Sequence, residues 1–390
     1  MWHEYTVYSC HRNLSMYIYE QQDWPQFTWQ ATRIEGLLGE VNRQQGRLLG
    51  RMESLGFALQ EEAVLTTITQ DVVKSSQIEG ESLDIEQVRS SIARHLGLQV
   101  AGLIPSSRQV DGVVAMLLDA TQHYGRHLTE ERLFGWHALL FPTGYSGMYR
   151  IRVGAWRQDE LGPMQVVSGA MGKETVHFQA PAAARLPAEM GQFLAWFNQP
   201  QDNLSLDPVL KAALAHLYFV TLHPMEDGNG RMGRAIADMQ LARVDQTAKR
   251  FYSMSFQIER HRREYYDMLE QTQKGGLDVT GWLRWFLTCL SNAIAASNDL
   301  LSTILQKAAF WRSYAATPLN DRQRKMIDKL WGEFIGKLNS SKWAKMAGCS
   351  KETAVRDIND LLEKGILLKE EAGGRSTNYQ LNWSTLPLNS

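Results

Sequence analysis

The stretch HPMEDGNGRMGR, His223–Arg234, sets a histidine, two acids, two glycines flanking an asparagine and two arginines side by side. The segment before it, DPVLKAALAHLYFVTL, reads as a mostly buried helix. His223-Pro224 ends that helix, because the residue before a proline is pushed out of the helical region. His223 therefore stands at the mouth of a loop, where its side chain can face solvent or substrate. Gly228-Asn229-Gly230 then opens the next helix, GRMGRAIADMQLARV. Glycines let backbone N–H groups approach a ligand closely, and a helix N-terminus offers unpaired donors with about half a positive charge. Together they make an anion hole suited to phosphate.

Arg231 and Arg234 are spaced to share one helix face near that end. Each guanidinium can hold phosphate oxygens bidentately, so two of them suggest more than one phosphate. Asp227 is placed to hold Mg²⁺ against those phosphates, since Mg²⁺ is commonly shared between one carboxylate and a polyphosphate. A histidine at the lip, with an ordinary pKa of about 6.5, can take a proton from an incoming hydroxyl, which is typically worth about 10²–10⁴-fold in rate. A capped helix start with surface ion pairs would account for GNG alone but not for the whole combination. His216 lies nearly two turns before His223, whereas a zinc-binding pair usually sits about four residues apart. It reads as a packed helix residue.

The 390-residue chain carries net charge −1 with pI about 6.8, so any nucleic-acid or membrane partner must be held by a local patch. No run approaches the roughly 20 apolar residues that span a bilayer, and MWHEYTVYSCHRN lacks a basic region followed by an apolar stretch. No secretory signal is expected. Cys10, Cys289 and Cys349 are odd in number and far apart, which points to buried free thiols in a reducing cytoplasm.

Helical patterning dominates, giving a mainly α fold. It runs from about Thr32 to Gly80 and recurs near 85–97, 110–123, 129–139, 187–198 and 208–222. It returns in QIERHRREYYDMLEQTQ and in TGWLRWFLTCLSNAIAASNDLLSTILQKAAFW. QVVSGAMGKETVHF reads instead as a β-hairpin, Gln165–Val167 against Thr175–Phe178. The aromatic segment DWPQFTW reads as a docking segment filling a groove on the next domain. A boundary falls at TPLND. Beyond it, three helices followed by ILLKEE and NYQL give the pattern of a winged helix-turn-helix.

HPMEDGNGRMGR resembles the signature of the Fic family, His-Pro-Phe-x-Asp/Glu-Gly-Asn-Gly-Arg-x-x-Arg, with Met225 where phenylalanine is usual. Methionine fills similar core space flexibly. The resemblance implies a protein adenylyltransferase that moves AMP from ATP to a Ser, Thr or Tyr hydroxyl of a target protein, releasing pyrophosphate. It makes His223 the general base and Asp227 the Mg²⁺ ligand. Asn229 and Arg231 would hold phosphates beside Gly228 and Gly230, and Arg234 would contact the γ-phosphate.

SSQIEG, Ser75–Gly80, resembles the family's inhibitory motif, in which Glu79 would pair with Arg234 and exclude the γ-phosphate. Ser75 and Glu79 lie one helical turn apart, as that motif requires. The hairpin resembles the family's flap, with Val166, Val167 and Ser168 offering an edge to the target segment. Tyr265 and Tyr266 resemble a position lining the adenine pocket. In SGMYRIRVGAWR, Arg150 and Arg152 look structural.

The expected organisation is an N-terminal helical domain with the inhibitory helix (1–100), a Fic catalytic domain (101–316) and the winged helix-turn-helix (317–390). In the last, Lys351, Arg356, Lys369 and Arg375 could meet DNA phosphates. Glu352, Asp357, Asp360 and Glu363 share the third helix, which favours a protein-interaction or dimer-forming role over DNA binding. Two other functions fit the same residues: a DNA-binding regulator that senses nucleotide, and removal of AMP from targets with Glu79 orienting water.

Overall fold

In a computed structural model, residues 3–6, 16–100, 102–160, 162–169, 173–200, 205–331, 336–370 and 377–382 are described. The chain divides into two compact units, Met1–Asn298 and Asp299–Ser390.

The first unit opens with strand β1 (His3–Thr6) and a 3-10 turn at Ile18–Glu20. Helices α1 (Glu35–Glu53), α2 (Phe57–Ile78), α3 (Ile85–His95), α4 (Arg108–Gln122) and α5 (Glu130–Leu140) follow. Two hairpins come next, β2 (Tyr145–Ser146) with β3 (Tyr149–Arg150), and β4 (Met164–Ser168) with β5 (Thr175–Gln179). The unit continues through α6 (Leu186–Phe197), α7 (Pro208–Leu222), α8 (Asn229–Asp245), α9 (Met254–Arg260) and α10 (Arg262–Gln273), and ends within α11 (Thr280–Ser313). The helical pattern from 32 to 80 thus forms two helices, because Gly56 caps the start of α2 after the break at Ser54. QIERHRREYYDMLEQTQ is likewise divided, at His261.

Polar caps start several of these helices. Asp84, Ser107, Thr129 and Asp207 each accept a backbone N–H two or three residues on. Such a cap contributes about 1 kcal/mol. Helix α7, mostly apolar on every side, is buried at every position from Val209 to Leu222. It packs closely on α8. A Cβ at Gly233 would meet Val220 Cγ1 at 2.7 Å, so the close approach needs glycine there. α2 packs on α3, α8 and α9, which brings its last turn to the start of α8.

The sheet order is β1-β4-β5. The β4–β5 hairpin forms where alternation predicts it. Gly169, with φ of 112°, adopts a conformation open to glycine, and a Cβ there would lie 2.7 Å from Lys173 O. β1 is a strand that the pattern did not suggest.

The N-terminal aromatics dock as expected. Trp24 Nε1 donates to Glu189 at 3.0 Å, and Trp24 and Phe27 both meet the Tyr218 ring edge-on. Tyr17 and Tyr19 pack on Phe178 of β5. Cys289 is buried and Cys349 half-buried, while Cys10 lies outside the described residues. Among the described residues no helix is long and apolar enough to cross a membrane.

The second unit contains α12 (Asp321–Trp331), α13 (Ser340–Ala347), α14 (Lys351–Glu363) and the antiparallel strands β6 (Leu367–Lys369) and β7 (Tyr379–Leu381). Its core includes Phe310, Ile327, Trp343, Ile358 and Leu381. Of the acids counted against DNA binding, Asp357 is buried and Asp360 half-exposed. Asp357 pairs with Arg322 at 3.0 Å, and Asp360 accepts from Gln323 at 2.7 Å. Lys351, Arg356, Lys369, Glu352 and Glu363 are exposed, and Arg375 lies outside the described residues.

Candidate active site

His223 caps the C-terminus of α7 with φ 48° and ψ 57°, a left-handed conformation rare for a residue with a Cβ. Such a conformation persists only when its surroundings enforce it. Arg157 provides that enforcement. Its side chain is fully buried, its Nε donates to His223 O at 2.7 Å, and its backbone N–H donates to Pro224 O at 2.9 Å. Asp159 balances the guanidinium at 2.7 Å. Sequence reasoning singled out Arg150 and Arg152 in this stretch, yet both are exposed, and the buried arginine is the third. Only its partners, far off in the chain, distinguish it.

His223 is almost wholly enclosed rather than turned to solvent. Burial, with the nearby Arg157 charge, pushes its pKa down to about 4, so the imidazole is neutral at physiological pH. Nδ1 lies 3.3 Å from Val220 O. With Nδ1–H donating there, Nε2 is the nitrogen that carries the lone pair.

The loop after His223 is braced from within. Met225 is fully buried, and its backbone N–H and C=O are both met by the Asn229 side chain at 2.9 Å. Asn229 thus shapes the loop. Gly228 takes φ of 82°, and a Cβ there would press on Phe141 and Leu140 at 3.0 and 3.1 Å. Asp227 accepts hydrogen bonds from Ser146 Oγ and from Gly228 N. Arg231 is buried over the Phe141 ring, with Asp227 3.9 Å away.

The last turn of α2 reaches into this cradle. Glu79 Oε1 lies 2.7 Å from Arg234 Nη2, and Tyr266 Oη donates to Glu79 Oε2 at 3.3 Å. Ser75 receives Arg234 twice, at Oγ and at its carbonyl oxygen, both 2.9 Å. A Cβ at Gly230 would fall 2.2 Å from Glu79 Oε1, so the carboxylate sits on the backbone that opens α8. Burial alone would depress the Arg234 guanidinium, but the Glu79 carboxylate outweighs it and holds the pKa above its ordinary value. A second acid of the same turn, Glu81, engages Arg231 at 2.8 Å. Sequence reasoning missed Glu81; its place two residues past Glu79 was the signal available. α2 is pinned at mid-length, where Asp71 accepts from Ser253 Oγ and from Ser255 N at 3.2 Å.

A solvent-open cavity of about 620 Å³ adjoins Glu79, His223 and Gly230, with Tyr265, Tyr266 and Val166 on its walls. Tyr265 Oη lies 2.8 Å from His216 Nε2. His216 is buried beneath the cavity, where burial and the Arg234 charge lower its pKa to about 3. It is the packed residue expected.

Val167 and Val166 of the flap are already paired, with His3 and Glu4 of β1. Ser168 Oγ is 2.6 Å from His177 Nε2, and His177 Nδ1 is 2.6 Å from Glu270, which ties the flap to α10. Among the described residues no group of three or more His, Cys, Asp or Glu side chains could hold a metal.

Residues 127–241, which include the loop between α7 and α8, match the Fic/DOC family. Residues 17–98 match a domain of unknown function, DUF4172. Over 114 residues, 29% of the chain, it is 32% identical to a protein adenylyltransferase Fic of Culex quinquefasciatus. Over 143 residues it is 29% identical to one of Nematostella vectensis. These alignments span 21% and 31% of those relatives' own lengths. The fold is similar to that of a Fic family protein from Desulfovibrio desulfuricans, with TM-score 0.51 and 21% identity over 92% of this chain and 98% of that one. A Fic domain signaling protein from Bacteroides thetaiotaomicron has TM-score 0.50 and 19% identity over 67% of this chain and 97% of its own.

Proposed function

We propose that the protein is an ATP-dependent protein adenylyltransferase held in check by its own Glu79. The observation that carries this reading is the Glu79 carboxylate lying on Arg234 and on the Gly230 backbone at the start of α8. An anionic group fills the very place where a helix N-terminus and a guanidinium would bind a phosphate. One arginine cannot grip a carboxylate and a phosphate at the same point.

In the active state Arg234 and Arg231 hold the outer phosphates, and the amides opening α8 cradle them. Mg²⁺ carried by Asp227 would neutralise charge on the leaving pyrophosphate. Tyr265 and Tyr266 wall the adenine side. The target hydroxyl donates its proton to His223 Nε2 as its oxygen bonds the α-phosphorus. Arg157 keeps that nitrogen aimed. Such transfer depends mainly on positioning and charge stabilisation.

We assign residues 1–100 to inhibition, 101–316 to catalysis and 317–390 to a winged-helix unit that docks a protein or a second copy of the chain. We place the protein in a reducing cytoplasm. The test is incubation with ATP labelled at the α-phosphate and Mg²⁺. Label should enter protein weakly, rise sharply in Glu79→Gly and vanish in Glu79→Gly/His223→Ala. Equal labelling with Glu79 intact would remove the inhibitory claim.

A second reading draws on the burial of Asp357 and the exposure of Lys351 and Arg356 on α14. It makes the protein a nucleotide-sensing DNA binder. That reading predicts salt-dependent duplex binding and cellular function that survives His223→Ala. Release of AMP from a modified target would instead mark Glu79 as orienting water for the reverse reaction.

A further inference from the structure

β5 carries a bulge beside the cavity. Val167 pairs with Val176 and Val166 with Phe178, so His177 is the extra residue. Bulges re-aim a side chain and recur next to active sites. This one sets the His177 imidazole between two other elements. Nε2 lies 2.6 Å from Ser168 Oγ on β4, and Nδ1 lies 2.6 Å from Glu270 Oε2 on α10. His177 and Glu270 both line the cavity. Ser168 stands two residues along β4 from Val166, another wall residue, and so shares its face of the strand. All three are half-buried, within reach of a small molecule.

The carboxylate sets the direction of these contacts. Burial alone would raise the Glu270 pKa, but the hydrogen bonds from Lys274, 2.6 Å away, and from His177 outweigh it and hold it below its ordinary value. An ionised carboxylate only accepts, so in the neutral imidazole Nδ1 carries the hydrogen and Nε2 the lone pair. The Ser168 hydroxyl then donates to Nε2. A hydroxyl resting on a histidine that a third group orients is the arrangement that activates a serine nucleophile.

We propose that Ser168, His177 and Glu270 form a second reactive centre, separate from His223, that cleaves carboxylic esters through an acyl-serine. Ser168 Oγ attacks the carbonyl carbon while its proton passes to His177 Nε2. The bond from that carbon to the leaving oxygen breaks, and the alkoxide departs with the electron pair and takes the proton from Nε2. Water, giving a proton to the same nitrogen, then splits the acyl-serine into a carboxylic acid and the restored hydroxyl. Glu270 is a positioning residue that keeps Nδ1 engaged. Val166, Phe178, Val220 and Leu269 make the neighbouring walls apolar, which suits a short hydrocarbon acyl chain.

The full-length parent protein, treated with an alkyl fluorophosphonate and mapped by peptide mass spectrometry, should carry the adduct on Ser168. It should also hydrolyse p-nitrophenyl butyrate faster than buffer does. Ser168→Ala should abolish both signals. His177→Gln should slow labelling of Ser168 by about 10²–10⁴-fold, the contribution of a general base. Glu270→Gln should slow it too, and should move the midpoint of the pH–rate profile down, because the carboxylate no longer favours the protonated imidazole. His223→Ala should still be labelled at the parent rate, so this centre and adenylyl transfer stand or fall separately. A folded parent protein with no adduct on Ser168, labelling that His177→Gln does not slow, or ester hydrolysis undiminished in Ser168→Ala overturns the proposal and leaves His177 a clasp between the flap and α10.

Discussion

Arg157 holds the carbonyl of His223 from a position 66 residues away in the chain, at 2.7 Å and from full burial. The left-handed backbone at His223 is therefore held by a side chain outside its own motif. Arg157→Lys keeps a charge but cannot serve the His223 and Pro181 carbonyls and Asp159 together. In the Glu79→Gly background, kcat for AMP transfer should fall about 10²-fold, the scale on which small misplacements act. KM for ATP should stay nearly constant, because Arg231 and Arg234, the arginines proposed to hold the phosphates, are untouched. A rise in KM with unchanged kcat would contradict this positioning role.

Glu79 and Glu81 occupy different arginines, so their removal should have different effects. Glu79→Gly frees Arg234 and should raise the transfer rate about 10–100-fold, the scale of a charged hydrogen bond worth about 1.5–3 kcal/mol. Glu81→Ala frees Arg231 alone. It should tighten ATP binding, measured by calorimetry, without matching that rate. If Glu81→Ala released activity as fully as Glu79→Gly, Glu81 would be the principal brake.

Freeing a buried guanidinium has a cost when nothing replaces the carboxylate. Without nucleotide, Glu79→Gly should lower stability by about 1–3 kcal/mol, read as a fall in thermal midpoint. Saturating Mg·ATP should restore it, since a ligand that binds only the folded state stabilises that state. The parent protein should gain much less from the same addition. Equal nucleotide-induced shifts in the two proteins would argue against competition at Arg234.

The pH profile follows from the depressed pKa of His223. Above its folded pKa, about 4, the imidazole is neutral and can accept the proton; below it the lone pair is taken. Activity of Glu79→Gly should therefore hold level as pH falls from 8 through about 6.5, where an ordinary histidine would titrate, and drop only nearer 4. Initial-rate measurements across this range would test it. A half-maximal point near 6.5 would mean that the imidazole is solvated during turnover.

What could be read beforehand was whatever is encoded over short distances. HPMEDGNGRMGR carried the histidine, the glycine-opened helix and both arginines within a few turns. The hairpin declared itself through alternation on either side of Gly169. The Ser75–Glu79 spacing is one helical turn. Arg157 and Glu81 were not legible, because their meaning lies in partners 66 and 150 residues away. β1 is four residues with no apolar period to mark it. The break between α1 and α2 was visible as Ser54-Leu55-Gly56, but a long run of helix formers on each side outweighed it.

Asp71 fastens the middle of α2 to the residues opening α9, whereas Glu79 is the residue that closes that helix. Withdrawal of the whole helix would forfeit the buried Asp71 contacts, while unwinding of the terminal turn would not. On the inhibitory reading proposed above, loosening of that terminal turn would part Glu79 from Arg234 while the Asp71 contacts stayed in place.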